Sequence, residues 1–231
     1  MDYRYIFLLL LTAAFSVWAS IKVNSTFSKY SSLHPRSGMT GAEAARRVLD
    51  ANGLYNVRIE HIAGSLTDHF DPRSNVIRLS DKVYGVSSAA AIGVAAHEAG
   101  HAVQYAKGYA PLHIRNAIIP ITNIGSRIAM PLILLGIILS GMGTQYIYIA
   151  YIGVACFALS TLFQLLTLPT EFNASRRALA SIEQTGLLYG KELSAAKKVL
   201  SAAAITYVAA LAASLVNLLR LLAIVGAGRR D

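Results

Sequence analysis

Residues 146–168 carry no charged side chain, and no other feature restricts the folding of this chain so strongly. A helix of about 20 apolar residues crosses the hydrocarbon core of a bilayer, where every backbone polar group must pair within the segment. Three further apolar runs accompany it. The first is 6–21, flanked by Arg4 and Lys22; the second is 128–139, which can begin as early as Ile118. The last, 202–219, continues past Arg220 to Val225. These runs explain a composition that is 55% hydrophobic and only 14% charged, against roughly 25% charged in soluble domains. The expectation is a mainly α membrane protein with three to four transmembrane helices and a small α+β part.

The first run has some features of a secretory signal, since Val17-Trp18-Ala19 is a passable cleavage site. Its n-region, Met1-Asp2-Tyr3-Arg4, has almost no net positive charge, and a tryptophan sits in the site, so an uncleaved anchor is expected. Cys156 is the one cysteine and lies in the uncharged run, where it reads as a small packing residue. No signature of an oxidising compartment follows from it.

A net charge of +9 invites a nucleic-acid reading, but no basic patch is interleaved with aromatics. Lysine and arginine instead gather between the first and second runs, from Lys22 to Arg115, and between the third and fourth, from Arg176 to Lys198. The 140–145 loop has none. By the positive-inside rule both basic segments are cytoplasmic and the N-terminus faces out. Arg229 and Arg230 run against this topology. The expected location is the cell (plasma) membrane, multi-pass, with the working face in the cytoplasm. Five segments follow: an N-terminal anchor at 1–23, a cytoplasmic α+β part at 24–116, a transmembrane hairpin at 117–168, a cytoplasmic helix at 169–200 and a C-terminal transmembrane helix at 201–231.

Within the cytoplasmic part, Thr40 followed by Glu43 has the capping-box spacing of a helix start, and Asn52-Gly53 ends that helix. Residues 57–60 alternate as a short strand, 71–75 has turn chemistry, and 76–79 reads as a second strand. A proline-free helical stretch, 87–106, contains His97-Glu98-Ala99-Gly100-His101. Residues four apart share a helix face, so His97 and His101 can offer two imidazoles to one metal ion. Glu98 follows the first imidazole, where its carboxylate can take a proton from a water that the metal activates. A catalytic zinc usually has three protein ligands and one open position. His34, His61, His69 and His113 recur at no metal-like spacing, and each reads as an ordinary histidine. Glu171, in Leu168-Pro169-Thr170-Glu171, is the better third candidate, with Pro169 expected to break or start a helix there and Glu171 in its first turn. A helix-start carboxylate that merely suits the dipole fits the same spacing.

His97-Glu98-Ala99-Gly100-His101, with Glu171-Phe172-Asn173-Ala174-Ser175-Arg176-Arg177-Ala178 after a hydrophobic hairpin, resembles the YugP-type membrane zinc metallopeptidases. Thr40-Gly41-Ala42-Glu43-Ala44, Leu66-Thr67-Asp68-His69-Phe70-Asp71-Pro72-Arg73 and Ala196-Lys197-Lys198-Val199-Leu200 carry the resemblance over nearly all of the chain from Met39 onward. The layout is also similar to the HtpX and CAAX-protease group, whose glutamate ligand lies in an E-x-x-A-D helix. There Glu171 takes the ligand's place, Ala174 the alanine's, and Ser175 stands where that group has aspartate. The FtsH proteases share H-E-A-G-H but need an ATPase domain, and no G-x-x-x-x-G-K loop appears here.

The resemblance implies a small zincin-like, gluzincin-type cytoplasmic part in which Zn²⁺ is held by His97, His101 and Glu171 and Glu98 is the general base. Peptide bonds of membrane or membrane-proximal proteins are the implied substrates, and the bilayer is the other partner. Arg176, Arg177, Asn173, His113 and Tyr109 lie near one motif or the other, and none is singled out as the oxyanion donor. The rival reading is a non-catalytic scaffold or adaptor with a closed structural zinc site, in which Glu98 would have no use. A strand beside the metal-bearing helix can pair its free edge with an extended peptide, or serve packing alone. Both readings of that strand stand.

Overall fold

The computed structural model describes residues 3–227. Arg229 and Arg230, which run against the expected topology, lie outside the described residues, as do Met1 and Asp2 of the signal-peptide argument. In chain order the elements are α1 (Tyr3–Ser31), α2 (Gly41–Ala51), β1 (Arg58–His61), β2 (His69–Asp71), β3 (Val76–Leu79), α3 (Ala89–Ala106), α4 (Ala110–Ser140), α5 (Ile147–Gln184) and α6 (Lys191–Ala227). A 3-10 turn at Thr144–Tyr146 precedes α5. Among the described residues, four helices are long and apolar enough to cross a membrane: Tyr3–Ser31, Ala110–Ser140, Thr144–Gln184 and Lys191–Ala227. The expected class, mainly helical with a small sheet, is therefore the one observed.

Among the described residues, one compact unit lies within 1–18, 113–168 and 206–231. Its buried apolar centre is thin: Ile133, Ile147, Ala150, Val154, Leu221 and Val225. Phe7, Leu10, Ile124, Ile138, Ile152 and Leu165 are instead exposed, as side chains that face lipid must be. Small residues let its helices meet closely. A Cβ on Gly153 would lie 2.7 Å from the Ala129 carbonyl oxygen, and one on Gly136 would collide with the Ala150 backbone. The hydroxyls of Thr161 and Ser214 pair at 2.7 Å between α5 and α6.

The other unit, residues 19–112 and 169–205, holds the larger core. Val48 and Leu49 of α2, Ile77 and Leu79 of β3, Ile92 of α3, Ile182 of α5, and Leu187 and Leu188 in the α5–α6 loop all pack within it. Thr40 and Glu43 form the expected capping box. In the sheet, ordered β1-β3-β2, β1 runs parallel and β2 antiparallel to the central β3. Residues 76–79 therefore have no free edge, and the edge strands are β1 and β2.

Three local expectations are corrected. Pro169 does not start a helix: α5 runs through it. The missing N–H costs one backbone bond, but Ala174, Ala178 and Ile182 beyond it are completely buried, and that packing keeps the helix going. The chain breaks instead at 185–190, so residues 191–200 belong to α6 and not to the helix bearing Glu171. Finally, β2 was missed. It has three residues, and its last, Asp71, already begins the turn by accepting the Arg73 N–H at 2.9 Å and the Ser74 hydroxyl at 2.6 Å.

Candidate metal centre

Helix α3 is buried on almost every side because its residues are small. Ala95, Ala96, Ala99, Gly100 and Ala102 surround the two histidines and let neighbouring backbones come close. Ser88 caps the helix, its hydroxyl accepting the Ala91 N–H at 3.1 Å. His97 and His101 stand one turn apart with ring centroids 4.7 Å apart, edge to face. On the same face α5 crosses at Gly100, where a Cβ would lie 2.6 Å from the Ala174 carbonyl oxygen. Glu171, almost one turn before Ala174, thereby reaches both rings. Its Oε2 lies 3.1 Å from His97 Nε2 and 3.4 Å from His101 Nε2.

These three donor atoms lie within 4.8 Å of one another, and their side chains are mostly buried. A tetrahedron with zinc–ligand bonds of about 2.1 Å has edges of about 3.4 Å. The two nitrogen–oxygen spacings, 3.1 and 3.4 Å, lie close to that figure, so the three residues could hold zinc. The outer nitrogens of both rings are also occupied. His97 Nδ1 is 3.1 Å from Ser175 Oγ, and His101 Nδ1 is 2.9 Å from Gln104 Oε1. With protons at Nδ1, two imidazole lone pairs and a carboxylate converge on one point. Such a concentration of electron density is relieved by a cation.

Glu98 follows His97 and is nearly inaccessible. Burial pushes its carboxyl up to about 7 against the pull of His97; Glu171 and Asp68 push the same way, and the Phe70 backbone N–H, donating to the carboxylate, opposes them. Phe70 is the middle residue of edge strand β2.

All four residues singled out from the sequence are thus neighbours. The other histidines pair elsewhere: His34 with Ser87 O, His61 with Asp81, and His69 with Thr67 O. His113 belongs to the other unit. Among the oxyanion candidates, Asn173 and Arg177 bond each other at 2.7 Å, and Arg177 lies over the Tyr109 ring at 6.0 Å. Sequence reasoning missed Gln104. Its signal was its position three residues after His101, on the same helix face. Ser175, noted only as a departure from a related motif, sits against His97.

Fold and donor set together define a helical membrane protein with a donor set of the zinc-peptidase type. The chain belongs to the family described as "Putative neutral zinc metallopeptidase", which matches residues 5–226. It is 47% identical over 227 residues to the "Putative membrane protease YugP" of Bacillus subtilis (strain 168), covering 98% of this chain and 99% of that protein. No solved structure matches it.

Proposed function

We propose that this protein is a multi-pass, zinc-dependent membrane endopeptidase that cleaves membrane or membrane-proximal proteins. The observation that carries this reading is the convergence of His97 Nε2, His101 Nε2 and Glu171 Oε2, with Glu98 next to the first ligand. In this reading the three side chains hold Zn²⁺, which when bound supplies a Lewis acid for the scissile carbonyl and lowers the pKa of water. Glu98 accepts the proton of the attacking water and returns it to the leaving amine. Burial of Glu98 and Glu171 keeps bulk water from competing for their carboxylates. Ser175 and Gln104 orient the imidazoles from behind.

Two sequence features support a site close to the cytoplasmic membrane surface. Glu171 follows the uncharged run 146–168 by three residues, and the segments around both motifs carry the basic clusters. The scaffold reading fares worse, because a structural zinc site is closed by a fourth protein ligand and has no role for Glu98. The test is peptide hydrolysis by detergent-purified protein. Activity that is lost with a zinc chelator and restored by zinc supports the reading; zinc-loaded protein that cleaves no protein or peptide substrate refutes it.

A further inference from the structure

We propose that Gln104 decides which nitrogen of His101 faces Glu171, and that Asn173 and Arg177 hold Gln104 in the orientation that makes the choice. The consequence for metal affinity rests on the zinc reading above, whereas the hydrogen-bond argument does not need a metal. Arg177 Nε can only donate, and it lies 2.7 Å from Asn173 Oδ1. That fixes the Asn173 amide, whose oxygen also accepts Gln104 Nε2 at 3.0 Å. The carbonyl oxygen of Thr170, 2.7 Å from the same Nε2, can only accept. Both neighbours on α5 therefore require the nitrogen end of the Gln104 amide. The oxygen end is left facing His101 Nδ1 at 2.9 Å. A carboxamide oxygen has no hydrogen to give, so Nδ1 carries one, and Nε2 is the atom that His101 presents to Glu171.

Gln104 is completely buried, so no water can take over its role. His97 is held differently. Its Nδ1 faces the Ser175 hydroxyl at 3.1 Å, and a hydroxyl donates or accepts with equal ease. His101 is therefore set in advance by a chain of one-way donors running back to Arg177, while His97 is free to adjust. Gln104 is a positioning residue: it acts on the reaction through His101.

The experiment is nitrogen-15 NMR of histidine-labelled protein in detergent, with and without zinc, alongside zinc titration against a competing chelator. The His101 signal is identified by its loss in His101→Asn. Wild-type His101 is expected to carry hydrogen at Nδ1 in both states. Gln104→Leu should lose that preference in metal-free protein and weaken zinc binding by roughly 10- to 100-fold. Gln104→Glu, which keeps an acceptor against the ring, should restore the Nδ1 hydrogen. Arg177→Met, which frees the Asn173 amide to turn over, should give a partial loss. A bare Nδ1 in wild-type protein overturns the proposal. So does Gln104→Leu with unchanged His101 signals and zinc affinity, even if it unfolds at lower temperature, because the role is then merely structural. Wild-type protein that keeps the Nδ1 hydrogen but binds no zinc refutes the zinc reading and supports the role of Gln104.

Discussion

Replacing Gly100 by alanine tests whether the closeness of α3 and α5 creates the site. The added Cβ would lie 2.6 Å from the Ala174 carbonyl oxygen, whereas ordinary contact begins at 3.4 Å. The obstacle is backbone, so the helices must part by about 0.8 Å at this point. Metal–ligand bonds tolerate only about 0.2 Å, and Glu171 is almost one turn from the collision. Alanine in place of a mid-helix glycine by itself adds about 0.5–1 kcal/mol of stability, while overpacking costs about 1–3 kcal/mol. The expected net loss is therefore small, roughly 0–2.5 kcal/mol, but zinc affinity should fall at least about tenfold. Gly93→Ala is the control, since its Cβ would come no nearer than 3.2 Å to the Ala196 Cβ and 3.4 Å to the Ala196 backbone. Both are measured by thermal unfolding in detergent and by zinc competition. Gly100→Ala with wild-type zinc affinity would refute the reasoning.

Four other outcomes are expected. His97→Ala and His101→Ala should each abolish stoichiometric zinc by metal analysis, because a two-residue site binds poorly. Glu171→Ala should do the same. Glu183→Ala should leave zinc intact, and Glu192→Ala should cost stability only, since Glu192 accepts the Arg36 and Tyr189 backbone N–H groups. Asp71 is drawn down from 3.8 to about 2, chiefly by the Ser74 hydroxyl and then the Arg73 N–H. Its stabilisation is thus complete above about pH 4 and lost as pH falls towards 2, so the gap in melting temperature between wild type and Asp71→Asn should close over that window. For topology, cysteines placed on a background lacking Cys156 should react from outside intact cells at Gly143 and stay silent at Ser65; the reverse pattern would invert the orientation.

What the sequence made legible was local and periodic. The apolar runs announced their helices by length, Thr40 and Glu43 announced a cap, and the i,i+4 spacing put His97 and His101 on one face. What it concealed depended on distant packing. Pro169 looked like a boundary because a proline's penalty is local, while the burial of Ala174, Ala178 and Ile182 that outweighs it is not. Strand β2 is too short and too polar to show an alternation. Gln104 is a neutral amide in an alanine-rich helix, and its importance comes from Thr170 and Asn173, which only the crossing of α5 brings within reach.

The central claim is that a buried zinc site works with Glu98 as its base, and Glu98→Gln examines it most directly. The substitution keeps shape and removes the group that can take a proton from water. Zinc content, melting temperature and peptide hydrolysis should be measured on the same preparation. Zinc and fold are expected to match wild type while hydrolysis falls by about 10²- to 10⁴-fold. Hydrolysis at the wild-type rate in a variant that retains its zinc would contradict the account.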